Sequence, residues 1–264
     1  MCARRILGKR VNPNSQASWL EGLDFAGVYS DWVFEQTKPY LGPSILEIGC
    51  GRGTYTTRLA QAATRVVAID IDEGFVKATR GATSALSNVE VRQADVSREP
   101  FDEKFDTVFM LDVLEHIAED RALLAKLART LRPGGRLVVK VPAFNWLFGP
   151  LDQAVGHRRR YSRAALSRDL VASGFGPPDI WYFNAAAIPG WWLNGVVLRR
   201  TMAPSTQISL FERVLPLVKA VDRFARPFAG LSLFGVAKSA TTEIRSLLTP
   251  VPLGLVTCVQ FTPS

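Results

Sequence analysis

Residues 45–54 read Ile-Leu-Glu-Ile-Gly-Cys-Gly-Arg-Gly-Thr. A short apolar run carrying one acid, Glu47, gives way to glycines at every second position: Gly49, Gly51 and Gly53. The run reads as a buried strand. The glycines let the backbone turn sharply and, having no Cβ, let another group come close to it. From Thr54 the pattern turns helical, with Leu59 and Ala60 inward. The first N–H groups of such a helix lack partners of their own and face what lies beyond the turn. Strand, glycine turn and helix in this order open a parallel α/β sheet with room for a ligand.

Strands and helices continue to alternate. The pattern predicts strands over 65–69 (ending at Asp70), 89–92 (followed by Asp95), 107–111 (ending at Asp112) and 136–141 (ended by Pro142). Helices are predicted over 54–63, 73–85 and 121–131, the last stopped by Pro133-Gly134-Gly135. This order predicts a doubly wound, mostly parallel seven-stranded α/β sheet. Ligands of such sheets lie outside the carboxyl ends of the strands, where the strand order reverses. Glu47, Asp70, Asp95 and Asp112 all fall at or near predicted strand ends, a placement hard to dismiss as solvated loop charge. Beyond 142 the pattern predicts a helix over 161–174 with Ser162 as N-cap, a strand over 179–183 and a last strand over 232–238. Residues 184–232 are apolar and basic, helical with breaks at Pro189, Pro204 and Pro227. Residues 16–38 are partly helical, with Trp19, Leu20, Leu23, Ala26, Val33 and Phe34 at loosely helical spacing. The expected division is an N-terminal helical extension (1–43), a ligand-binding core (44–183), an apolar helical insertion with the final strand (184–240) and a tail of no assigned structure (241–264).

Composition narrows the setting. A chain of 264 residues with 47% hydrophobic content fits one α/β domain with additions, or at most two small domains. Three scattered cysteines, Cys2, Cys50 and Cys258, argue against a disulfide framework or zinc site and fit a reducing compartment. Cys50 reads as a small residue filling a small place. The basic residues 4–10 are not followed by an apolar segment, and the apolar stretch 185–198 is too short to span a bilayer. A cytoplasmic location, including the inner face of a membrane, is expected. The charge of +8 is uneven: residues 1–150 carry 19 Lys and Arg against 18 Asp and Glu, and residues 151–264 carry 13 against 6. The second part therefore suits an anionic partner, or simply a solvated surface.

A dinucleotide fingerprint, G-x-G-x-x-G, would place its third glycine on Thr54. Gly53 instead gives G-x-G-x-G preceded by Glu47. That block resembles motif I of the class I S-adenosylmethionine-dependent methyltransferases. Val66-Val67-Ala68-Ile69-Asp70-Ile71-Asp72 resembles their second motif, Gln93-Ala94-Asp95-Val96 the third, and Phe105-Asp106 through Asp112-Val113-Leu114-Glu115-His116 the fourth. Leu131-Arg132-Pro133-Gly134-Gly135 resembles the loop before their fifth strand. The resemblance covers about residues 40–143. It implies S-adenosyl-L-methionine as cofactor, with Asp70 accepting both ribose hydroxyls, Ile71 packing on adenine, Asp95 accepting the adenine amino group and Val96 offering its N–H to the ring. Glu47, Gly49, Gly51 and Gly53 would hold and admit the aminoacyl end. Asp112 would stand where donor and acceptor meet. Asp70 as a loop acid and Asp95 as a turn cap are the structural alternatives.

Residues 148–161 carry Asp152 and the run Gly156-His157-Arg158-Arg159-Arg160-Tyr161, a pattern similar to one in bacterial small-molecule methyltransferases. The segment would rise over the sheet edge as a lid. His157 is a candidate general base or a loop histidine bonded to Asp152. His116 is a second candidate with a structural alternative, as is Glu115. Asp152, Arg158, Tyr161 and Trp191 are candidate acceptor-binding residues; the arginines could grip an anionic acceptor or form a solvated turn with one of them paired to Asp152. The element around Trp191 and Trp192, with its basic end, suits a pocket wall, an anionic membrane surface or a core helix. The two histidines lack metal-ligand spacing along the chain, and no metal is expected. The reading is a methyltransferase acting on O or N, less so C, of an apolar or anionic small molecule, with no nucleic acid partner. The alternatives are an RNA or protein methyltransferase, a cyclase-like enzyme or a non-catalytic binder.

Overall fold

The computed structural model describes residues 27–201 and 213–240. The chain enters as helix α1 (Gly27–Thr37) and proceeds through β1 (Ser44–Ile48), α2 (Thr56–Ala62), β2 (Arg65–Asp70), α3 (Glu73–Ala82), β3 (Val89–Gln93), β4 (Phe105–Leu111), α4 (Asp120–Thr130) and β5 (Leu131–Pro142). It continues through α5 (Pro150–Val155), α6 (Arg163–Ala172), β6 (Asp179–Phe183), a short helical turn α7 (Ile188–Trp191), α8 (Leu215–Ala225) and β7 (Ser232–Lys238). Sequence chemistry accounts for the boundaries. Asp72 caps α3, its carboxylate accepting the N–H groups of Gly74 and Phe75, and Ser162 caps α6 by accepting from Ala165 at 3.1 Å.

The seven strands lie in the order β3-β2-β1-β4-β5-β7-β6. β1 pairs in parallel with both β2 and β4, so the order reverses between β1 and β4, and the crevice of a doubly wound sheet opens at their carboxyl ends. β7 is antiparallel to β5 and β6 and lies between them. β1 is buried along its whole length, as a strand covered by helices on both sides must be. Alternate residues serve two cores. Leu46, Ile48, Val67, Ile69, Val108 and Met110 join one, with α4 and α6 contributing Leu124, Leu127 and Leu166. Ile45, Val66, Phe109, Val138 and Phe234 join the other, with Trp32, Val33 and Leu59.

Some expectations need amending. β5 begins at Leu131, not Arg136: Leu131 pairs with Phe105 and Arg136 with Thr107, so Pro133-Gly134-Gly135 is a bulge in the strand, not a loop before it. Helix α6 is shorter than 161–174, because Tyr161 pairs with Ala143 before the helix starts. Pro189 starts α7 at its first turn, where a missing N–H costs nothing, and the backbone continues as a π-helical turn (Trp192–Val197). Residues 1–26, with Trp19, Leu20, Leu23 and Ala26, lie outside the described residues, as do Pro204 and the tail 241–264.

Candidate cofactor and acceptor site

A cavity of about 410 Å³ opens at the carboxyl ends of β1, β2 and β4. The glycine turn forms one wall. The N–H groups of Gly49 and Cys50 both donate to the Ile69 carbonyl, at 2.8 and 3.1 Å, which folds the turn back onto β2. Gly49 takes φ +77° and Gly51 φ +56°, a region that side chains with a Cβ disfavour. A Cβ on Gly49 would sit 2.4 Å from Val113 Cγ2, whereas one on Gly51 would meet nothing within 4 Å. The first glycine is required by packing and the second keeps a space open.

The expected cofactor residues converge on this cavity: Glu47, Gly49, Gly51, Asp70, Ile71, Asp95, Val96 and Asp112 all border it. Gly53 is set back, packed against Thr79. Asp70 accepts the Gly51 N–H on Oδ2 and the Asp72 N–H on Oδ1, both at 3.0 Å. Burial nevertheless leaves its carboxyl above the usual range. Glu47 is buried and accepts the Thr56 hydroxyl at 2.6 Å; burial pushes its pKa up to about 8. Asp95 accepts the Ser97 N–H at 2.9 Å, a turn-capping role alongside its place on the wall. Ile71 is an apolar side chain 66% exposed at the rim. Cys50 also borders the cavity, and burial first of all pushes its thiol up to about 12, which disfavours the thiolate.

Sequence reasoning missed the partner of Asp112. Asp112 sits just past β4 at φ +54°, and Lys140 Nζ donates to both its carboxylate oxygens, to Oδ1 at 2.7 Å. The lysine side chain is 7% exposed and the aspartate side chain 47% exposed. Burial favours the neutral amine, but Asp112, then Tyr29 and Tyr55, outweigh it and hold Lys140 above its ordinary value. Tyr29, Tyr55 and Lys140 all border the cavity. A single lysine inside the apolar run 137–141 was the available signal, because a buried charge demands a partner. Nothing local marks Tyr29.

The segment after β5 needs correction. It reaches the cavity through Val155 and Gly156, and internal ion pairs and hydrogen bonds tie it down. Asp152, expected to meet the acceptor, is fully buried and turned inward. It accepts from Arg160 Nε at 2.8 Å and from the Gly149 N–H at 3.1 Å, and pairs with His157 Nδ1 at 2.9 Å. Burial would raise its carboxyl, but His157 and Arg160 hold it below the usual range. Tyr161 is buried and donates to Asp120 at 2.7 Å. Trp191 stacks on the Arg160 guanidinium, 4.7 Å from it. Arg158 is exposed, donates to the His116 carbonyl, and borders with Tyr161 a separate cleft of about 570 Å³. None of these four lines the main cavity. Arg159 pairs with Asp120 and Arg160 with Asp152; an arginine on Asp152 was one of the readings the sequence left open, whereas Asp120 was not foreseen.

His157 does not line the cavity either; His116 does. The two rings meet edge to face, centroids 4.9 Å apart. Burial, then His157, lowers the His116 pKa to about 4. Glu115 is fully buried beside them, its oxygen 3.6 Å from His157 Nε2, and burial, then Asp112, holds its carboxyl well above the ordinary value.

A family model described as a methyltransferase domain matches residues 46–139, from β1 into β5. The chain is 37% identical over 102 residues to a demethylmenaquinone methyltransferase of Clavibacter sepedonicus, covering 38% of this chain and 42% of that one. It is 35% identical over 140 residues to a tRNA U34 carboxymethyltransferase of Marinobacter nauticus, covering 46% and 42%. The chain thus spans about half the length of the curated relatives it matches. A solved S-adenosylmethionine-dependent methyltransferase from Mesorhizobium loti superposes with a TM-score of 0.57 at 16% identity, over 79% of this chain and 97% of that one; this likeness is one of fold.

Proposed function

We propose that this chain, whose residues 46–139 match a methyltransferase-domain family model, moves a methyl group from S-adenosylmethionine to an oxygen or nitrogen of a small molecule. The observation that carries the reading is convergence: the glycine turn, Asp70, Asp95 and Asp112, distant in sequence, border one cavity at the sheet's switch point. The residues fit the donor. Each Asp70 oxygen accepts one backbone N–H and has a further lone pair for a hydroxyl. Gly51 leaves space for close approach, and the exposed Ile71 offers an apolar surface to a flat ring. The donor, when bound, supplies a methyl group already activated on a sulfonium.

The chain's own work is alignment and exclusion of water. Lys140 fixes the Asp112 carboxylate at the end of β4, while Phe109, Leu111, Val113 and Ile117 give the cavity its apolar wall. Tyr29 and Ser30 of α1, with Val155 and Gly156 after α5, border it on sides the sheet does not supply. That enclosure supports an acceptor of metabolite size over a polynucleotide.

Calorimetry tests the cofactor: S-adenosylmethionine should bind and NAD should not, and Asp70→Ala should abolish binding while the far-UV spectrum and Tm stay near those of the parent. Normal affinity in that variant overturns the ribose assignment. Incubation with the donor and either a metabolite extract or total RNA tests the acceptor. A gain of one methyl group on a small molecule supports the reading; methylated nucleosides alone refute it.

A further inference from the structure

Glu115, His116 and His157 form a cluster whose chemistry the proposed methyl transfer does not use. One ligand atom from each lies within 4.8 Å of the others. Glu115 is fully buried, and among the described residues neither of its carboxylate oxygens has a hydrogen-bond partner. Such a group costs free energy unless something pairs with it, and an ion is one thing that does.

The histidines are set up to receive one. His157 Nδ1 lies 2.9 Å from Asp152 Oδ1, and His116 Nδ1 lies 3.1 Å from the Gly156 carbonyl. Both partners are acceptors, so each Nδ1 carries a proton, and the neutral form of each ring has its lone pair on Nε2. Metal-bound histidines are oriented in this way, by a carboxylate or carbonyl on the far nitrogen. Asp152 is itself held by Arg160 and Gly149, so the outer support is rigid. Glu115 Oε1 and His157 Nε2 are 3.6 Å apart, close to the roughly 3.4 Å between two donors on one tetrahedral ion with bonds of about 2.0–2.1 Å.

We propose that Glu115, His116 and His157 bind a divalent transition-metal ion such as Zn²⁺, Co²⁺ or Mn²⁺. Two imidazoles and a carboxylate suit ions of that class. Three protein ligands leave a coordination position open. His116 borders the main cavity, so the site adjoins it.

The test uses the full chain, without a polyhistidine tag, stripped by a chelator and titrated with Co²⁺ in the absence of any methyl donor. The expected result is visible ligand-field absorption that saturates at one equivalent and is displaced by Zn²⁺. Glu115→Gln and His116→Gln should each weaken Co²⁺ binding by about tenfold or more, and Asp152→Asn by about 10–100-fold. Circular dichroism reports whether each variant folds. If one does not, the parent titration and the remaining variants decide. No saturable absorption in the parent, or unchanged affinity in folded Glu115→Gln, overturns the proposal. Methyl transfer is not measured, so failure here leaves the methyltransferase reading intact.

Discussion

Gly49 and Gly51 look alike in sequence and differ in what surrounds them. Ala at Gly49 would combine a disfavoured φ with a 2.4 Å clash against Val113, while Ala at Gly51 meets open space. Gly49→Ala should therefore lower stability by about 2–3 kcal/mol and Gly51→Ala by about 1 kcal/mol, yet Gly51→Ala should still lose most donor affinity. Urea denaturation and calorimetry on both variants check the pair; equal stability losses would contradict the packing argument. Glu47 makes a pH prediction. Its folded pKa, about 8, lies above the ordinary value of 4.5, so between those values the native state holds a proton that the unfolded chain has lost. This group's contribution to stability therefore falls as pH rises through that window. Relative to Glu47→Gln, which cannot titrate, the parent should lose up to about 1.4 kcal/mol per pH unit there. Parallel stability curves from pH 5 to 8 would refute it. The acid at 47 was legible because it interrupts an apolar strand. The Lys140–Asp112 pair was half legible, since a lysine in a buried strand announces a partner without naming it.

At the scale of elements, local pattern located most strands and the helices α2, α3, α4 and α6, because burial on one or both faces leaves a periodicity and caps leave a side chain. It did less well where the backbone departs from regular form, as in the β5 bulge and the π turn after α7, which leave no period of their own. α8 has two apolar faces. Leu215 and Val218 are buried, while Leu217, Val221 and Phe224 are 68%, 47% and 79% exposed at helical spacing, with Arg223 on the same helix. No helix among the described residues is long and apolar enough to cross a membrane. We propose that α8 lies against an anionic lipid surface. The protein should co-sediment with anionic vesicles at low salt and release at high salt, and Phe224→Glu should weaken the binding several-fold. Failure of the parent to pellet ends the proposal.

At the scale of the whole molecule, sheet order decides what becomes a site. β4 lies beside β1, which carries Asp112 to the glycine turn; β5 lies beside β4, which carries Lys140 to Asp112. The return of the chain after α5 sets His157 against His116, 41 positions earlier. The amino-acid sequence by itself determined the alternation of strands and helices, the glycine turn and the acids at the strand ends. Those depend on interactions within a few residues, and local burial and local turns leave a local trace. Only the tertiary structure decided that Arg159 of the segment after β5 pairs with Asp120 of α4, that Lys140 holds Asp112, and that Glu115 and two histidines share one place. Those are pairings between distant segments, set by the order in which strands lie side by side, and no spacing along the chain encodes that order.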